Sequence, residues 1–306
     1  MRKRRLCIED YTISLVYAHP IELSAAIKIL DKEHDDLHHH NDDSNLYTFG
    51  SITRHNVMIA CLPMGQLSNS LAATVAMQMT SKFKSLRFGL FLGIGGGVPS
   101  DETDIQLGDV VVSQPKGEFG GVVQYDFGTT EAGRRFRRTG FLNAPPTILL
   151  NTLSGLQAKH TRGDNQIPKY LEAITFLDTF RRDQAGPDLL FKLSYAHISG
   201  PTCDRCDSAK VIIWVPCRGS KINIYYRTIA SGSQVIKDRI TRDRLSAELG
   251  GIFCIEMEAV GLINDFLCLV IHGICNYTNS HKNDRWQGYV AVAAAAYTKE
   301  LLSIVR

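Results

Sequence analysis

The sequence predicts an α/β fold with a mainly parallel central sheet, on three observations. Apolar strand-like runs alternate with helical runs from residue 12 onward, which is the βα pattern of parallel sheets. A glycine-rich segment, Gly93-Ile94-Gly95-Gly96-Gly97, follows one buried strand. Two late strands end in polar residues, one in Glu256-Met257-Glu258 and the other in Asn276, which gives the sheet a polar mouth where open α/β folds bind ligands.

The elements follow in order. Residues 12–18 form a strand, and Pro20, with φ already fixed for a first helical turn, opens a helix over 21–30. The Asp- and His-rich stretch 34–45 is a surface loop. Residues 47–52 and 56–62 alternate around the polar turn Thr53-Arg54-His55 and form a strand pair. Pro63-Met64-Gly65-Gln66 breaks that pattern before Ser68 or Asn69 caps a helix with Ala72, Val75, Ala76 and Met79 on one face. Strands follow at 88–92 and 109–113, separated by a turn at the glycines. The stretch 134–146 is basic and turn-rich, and 148–159 is helical. Apolar residues are thin and scattered over 160–220, so that stretch is an insertion over one end of the sheet within a single domain, 1–306. A strand at 224–230, a helix at 234–249, the two polar-ended strands and a closing helix around 290–304 complete the core.

Composition excludes several functions. With 34 basic and 31 acidic residues the net charge is only +3, too little for a nucleic-acid footprint. The Arg2-Lys3-Arg4-Arg5 cluster lacks the apolar run of a signal peptide and reads as a solvated tail. The apolar stretch 291–297 is too short to span a bilayer, so no membrane partner is expected. Eight cysteines, mostly inside apolar runs such as those around Cys61 and Cys268, read as reduced core residues of a cytoplasmic protein. The chain's last residues suit a domain cut from something larger.

The chemistry concentrates at the strand ends. A carboxylate there can accept both hydroxyl hydrogens of a ribose, and a polar residue on the neighbouring strand can reach a base. Glu256 and Glu258 also suit a helix N-terminus for electrostatic reasons alone, as does Glu22 in the first turn of the first helix. The glycine segment is neither a Walker loop nor a dinucleotide fingerprint, since Val98-Pro99 occupies its tail. Cys203-x-x-Cys206, with His197 upstream and Cys217 downstream, has the makings of a zinc site. With no second pair at the expected spacing it reads instead as a reduced surface pair. His38-His39-His40 sits in a polar loop and is assigned nothing. No metal and no cofactor are expected.

Taken together the motifs resemble one family. Tyr11-Thr12 with Ala18-x-Pro20-x-Glu22, Gly93 to Pro99, Leu107-Gly108-Asp109-Val110-Val111-Val112-Ser113, Ile229-Ala230-Ser231-Gly232, Glu256-Met257-Glu258-Ala259 and Gly273-Ile274-Cys275-Asn276-Tyr277 occur in the order seen in the nucleoside phosphorylase and nucleosidase superfamily. Phe119-Gly120-Gly121-Val122-Val123-Gln124-Tyr125-Asp126-Phe127-Gly128, together with Ser280-His281-Lys282-Asn283 and Trp286-Gln287-Gly288-Tyr289, resembles the branch at the N-termini of fungal NOD-like receptor proteins.

The resemblance implies a three-layer α/β/α sandwich, cleavage of the N-glycosidic bond of a purine nucleoside or nucleotide, and a homo-oligomer, either a dimer or a trimer of dimers. It implies that Glu258 holds the ribose hydroxyls over Met257, that Glu22 activates water, that Val235 and Ile236 contact the base, and that Gly95, Gly96 and Gly97 line the nucleophile's side. The chain departs from the family where an aspartate usually protonates the leaving base, since Asn276 can donate a hydrogen bond but not a proton. His272, Asn279 and Arg227 are further departures. Phe91 and Leu92 stand where phosphorylases place an arginine, which favours water over phosphate. The stretch holding Arg134, Arg135, Arg137 and Arg138 can still supply charge. A ligand-sensing module that has lost catalysis, and a phosphate-dependent phosphorylase, are the alternatives.

Overall fold

Parallel strands cannot be joined by tight hairpins, so each must be linked to the next over a face of the sheet. In the computed structural model, residues 6–37, 43–65, 69–100, 103–192, 194–200, 202–212 and 222–306 are described, without the side chains of Arg134 and Arg135. The Arg2–Arg5 cluster, the His38–His40 run, the Ser68 cap and Cys217 lie outside the described residues.

The first half runs β1 (Ile13–Tyr17), α1 (Pro20–Lys28), β2 (Lys32–Glu33), β3 (Tyr47–Ile52), β4 (His55–Cys61), α2 (Asn69–Lys82), β5 (Phe88–Gly97), β6 (Val110–Ser113), β7 (Val122–Gln124), β8 (Gly128–Glu131) and β9 (Arg135–Arg138). The second runs α3 (Thr147–Thr161), α4 (Ile167–Glu172), β10 (Ile224–Arg227), β11 (Ile229–Ser231), α5 (Arg239–Glu248), β12 (Cys254–Glu256), α6 (Ala259–Ile263), β13 (Cys268–Asn276) and α7 (Gln287–Ile304). Among the described residues eleven strands form one sheet in the order β10-β6-β13-β5-β1-β4-β3-β2, with β11, β12 and β7 branching from it. β1 is parallel to β4 and β5, and β13 is parallel to β5, while β6 and β12 join their neighbours β13 and β5 antiparallel.

The period-two alternation of each strand sorts its side chains into two cores. Ile13, Leu15 and Tyr17 pack with α1, α3, α4 and α7 on one face, whereas Val16, Phe91, Val111 and Val270 pack with α2 and α6 on the other. This is a three-layer α/β/α sandwich with a mixed, mainly parallel sheet. The face predicted for α2 is the buried one: Ala72, Val75, Ala76 and Met79. No helix among the described residues is long and apolar enough to cross a membrane.

Four elements differ from the sequence reading. The glycines 93–97 are no turn but the second half of β5, none of them with positive φ. They are needed because neighbours crowd the strand: a Cβ on Gly95 would lie 2.3 Å from Cys254 Sγ, and one on Gly96 would lie 2.0 Å from Thr278 Oγ1. Gly95→Ala is therefore expected to cost about 1–3 kcal/mol through overpacking. A thermal melt checks it, and an unchanged midpoint contradicts the crowding. The run 224–230 divides at Thr228, because β10 pairs with β6 whereas β11 turns to β12 and β7. The helix expected from 234 starts at Arg239, where the Asp238 carboxylate accepts from the N–H groups of Ile240 and Thr241. Part of the basic stretch after 134 forms the hairpin β8–β9. In the irregular stretch after 160, Ile167, Ile174, Phe180 and Ala185 are buried in the same core as α3 and α7, so its first part is better packed than its scattered composition suggests.

Candidate active site

The two halves of β5 have different partners along one edge. Phe88–Phe91 pair with β1, and Gly96 and Gly97 pair with β12. Between those contacts no described strand covers the edge. The Ile94 N–H there donates to Glu22 Oε1 at 3.0 Å. Glu22 also folds back on its own helix start, its Oε2 accepting from the N–H groups of Ala18 at 2.9 Å and His19 at 2.8 Å. One carboxylate thus ends β1, starts α1 and satisfies β5. Burial raises the Glu22 pKa above the ordinary range, although His19, these backbone donors and His272 oppose the rise.

Glu256 closes β12 and builds the start of α6, its Oε2 accepting from the N–H groups of Glu258 at 2.9 Å and Ala259 at 3.0 Å. His272 Nε2, from β13, lies 3.7 Å from the same oxygen. Burial alone would raise the Glu256 carboxyl, but His272 and the hydrogen bonds hold it below its usual value. Glu258 behaves oppositely. Burial first, then the charges of Glu256 and Glu22, push it up to about 8. Neighbouring carboxylates with separated pKa values are a mark of functional sites.

Asn276 ends β13 just past an irregularity in its pairing with β5. Its Oδ1 accepts from the Thr278 N–H at 2.9 Å, and its Nδ2 donates to Cys275 Sγ at 3.2 Å. The amide oxygen is therefore occupied, and a second N–H remains to donate. Thr278 takes a left-handed φ of 49°, a conformation that costs energy for a β-branched residue.

These groups line one cavity of about 230 Å³. Glu22, Gly95, Gly96, Val235, Ile236, Met257, Glu258 and Asn276 all face it. Gly97 does not: its pairing with Cys254 and the closeness of Ile274 place it in the packed sheet beyond the cavity. Three buried polar atoms of lining residues, Glu256 Oε1, His272 Nδ1 and Thr278 Oγ1, have no hydrogen-bond partner among the described residues. Such atoms are costly in a plain core and suit a polar ligand.

The sequence gives Thr278 and Lys282 no site role. Glu256 is read there as part of the polar mouth and as suited to a helix N-terminus, and its carboxylate does accept from the N–H groups that start α6. Burial lowers the Lys282 ammonium, which lines the cavity near Asn276. Arg227 and Asn279 do not line it. Arg227 lies over the Phe253 ring, and Asn279 Oδ1 accepts from the His281 N–H at 2.9 Å. Arg137 and Arg138 pair with Glu131 and Glu118 on and beside the β8–β9 hairpin, away from the cavity.

No protein-family model matches the chain. It is 43% identical over 310 residues to a nucleotide-binding leucine-rich repeat (NLR)-like protein of Hyaloscypha variabilis, a match that covers 100% of this chain and 30% of that protein. The chain thus spans under a third of that relative's length. It is 26% identical over 268 residues to the 5′-methylthioadenosine/S-adenosylhomocysteine nucleosidase of Mycobacterium bovis, covering 85% of each. The solved nucleosidase of the same name from S. pneumoniae, bound to a transition-state inhibitor, superposes with a TM-score of 0.60 at 13% identity, covering 96% of this chain and 100% of the other. The chain thus has the fold of the solved nucleosidases, and in sequence it is similar to the fungal NLR-like protein and, more distantly, to a nucleosidase.

Proposed function

We propose that the chain hydrolyses the N-glycosidic bond of purine nucleosides or nucleotides. The reading rests on one cavity lined by Glu22, Met257, Glu258 and Asn276. Ionised Glu258 accepts from the two ribose hydroxyls above Met257, and Val235 and Ile236 flank the purine. Glu22, with its three backbone donors, keeps a lone pair for a water on the sugar's other side. As the C–N bond breaks, its electron pair leaves with the purine, and the ribose passes through an oxocarbenium-like state favoured by the surrounding carboxylates. Water adds to the anomeric carbon and gives its proton to Glu22. The Asn276 amide donates to the departing ring without protonating it, which predicts slow turnover.

Charge favours water over phosphate. Four carboxylates, Glu22, Glu256, Glu258 and Asp284, line the cavity against a single ammonium, Lys282, and no arginine is among its described lining residues. A dianion would meet repulsion without a bidentate guanidinium to offset it. Purine release from adenosine, inosine, AMP and ATP, followed by chromatography with and without phosphate, is expected to be independent of phosphate. Strict dependence on phosphate overturns hydrolysis.

The second reading is a sensing module that binds such ligands without cleaving them. Its support is the absence of an acid at Asn276 in a chain that matches 30% of an NLR-like protein. Binding measured by calorimetry with no base released over prolonged incubation would select it.

A further inference from the structure

The stretch that sequence patterning leaves irregular crosses the loop after β13, and four metal-ligating side chains meet at the crossing. His197, Cys203 and Cys206 come from the former, and His281 from the latter. Their ligand atoms all lie within 4.8 Å of one another. Cys206 Sγ is 3.4 Å from His197 Nδ1 and 3.7 Å from His281 Nδ1; Cys203 Sγ is 3.9 Å and 3.7 Å from the same two nitrogens. Around tetrahedral zinc, with Zn–S about 2.3 Å and Zn–N about 2.0–2.1 Å, neighbouring sulfur and nitrogen ligands stand about 3.6 Å apart. The four separations bracket that distance.

Both imidazoles are already oriented. His197 Nε2 is 2.9 Å from the Gly200 carbonyl, and His281 Nε2 is 2.9 Å from the Tyr195 carbonyl. Each carbonyl can only accept, so each Nε2 carries the proton and each Nδ1 turns its lone pair toward the sulfurs. The His281 ring stacks on Phe191 at 4.0 Å between centroids, which fixes its plane and shields one side. The Cys206 N–H donates to the Cys203 carbonyl at 3.0 Å, closing the turn that brings the two thiols together.

We propose that His197, Cys203, Cys206 and His281 bind a structural zinc ion. Two thiolates and two imidazoles form a soft tetrahedral set suited to zinc rather than magnesium or calcium, and four protein ligands leave no open position for catalysis. This replaces the reduced surface pair expected from sequence. The missing ligand lies 75 residues beyond Cys206, a distance no local spacing rule covers. The ion fastens the irregular stretch to the loop holding Lys282 and so braces one wall of the candidate active site.

The test uses the full chain purified without chelators or metal-affinity resin. Elemental analysis is expected to find about one zinc per chain that survives dialysis, with Cys203 and Cys206 unreactive to thiol reagents until the metal is removed. Replacement by cobalt(II) is expected to give the visible absorption of a tetrahedral site together with thiolate charge transfer. Cys203→Ser/Cys206→Ser should lose the metal, whereas Cys7→Ser should keep it. If the double variant fails to fold, the cobalt spectrum of the unaltered chain decides. Absence of zinc, a cobalt spectrum without thiolate bands, a Cys203–Cys206 disulfide in freshly purified protein, or zinc retained by the double variant overturns the proposal.

Discussion

Glu258→Gln is expected to abolish nucleoside binding while raising the melting temperature at alkaline pH. Both effects come from one carboxyl that burial, Glu256 and Glu22 push up to about 8. The folded protein holds this proton where the unfolded chain has already released it, so Glu258 lowers stability as pH rises from the ordinary glutamate range through about 8. Below that window the variant and the parent should melt together. Above it the variant should be more stable, by on the order of 1–3 kcal/mol. Asp109 and Asp188, which burial raises to about 7 and about 6, add slopes of the same sign, but these remain in the variant and cancel in the comparison. Binding responds oppositely, because the diol needs an anionic acceptor. Two charge-assisted hydrogen bonds contribute about 1.5–3 kcal/mol each, so affinity should fall by roughly 10²–10⁴-fold. The parent's affinity should rise with pH up to about 8, and the variant's should be flat. Calorimetry and melts across pH measure both; intact binding with an unchanged alkaline melt would remove Glu258 from the sugar site.

Local chemistry explains which parts of this molecule could be read from sequence. Pro20 and the four buried positions of α2 announce their helices through φ and spacing alone. The glycines of β5 misled because glycine usually marks a turn, whereas here it admits Cys254 and Thr278 from other elements, a demand set by residues about 160 to 180 positions away. The start of α5 was missed for a related reason. Gln234, Val235 and Ile236 are claimed by the cavity, and the helix waits for the Asp238 cap. In the candidate site, Glu22, Glu258 and Asn276 stand at strand ends, so the α/β rule finds them. The gap in the edge of β5 that Glu22 fills depends on β1 stopping where β12 takes over, which is a fact of topology. His281 is the extreme case, a ligand whose partners are visible only once the chain has crossed itself.

Asn276→Asp is expected to raise turnover of adenine nucleosides by about 10² or more, within the ~10²–10⁴ range of general acid catalysis. The geometry allows the exchange. One carboxyl oxygen can keep the Thr278 N–H at the place of Oδ1, and the other takes the position of the amide nitrogen near the leaving base. Glu22 and Glu258 line the same cavity, and negative neighbours together with partial burial raise a new carboxyl's pKa, keeping it protonated and able to donate. Its rate profile should therefore gain a descending alkaline limb that the parent lacks. Ribose contacts are untouched, so KM should change little while kcat rises. Inosine should benefit less, since the variant loses the remaining amide N–H that can donate to O6, an acceptor adenine lacks, and the adenosine-to-inosine ratio should grow. Steady-state rates on the two nucleosides decide the matter. If adenosine still binds but its turnover is unchanged or lower, Asn276 does not face the departing base, and the orientation of substrate in the cavity must be reversed.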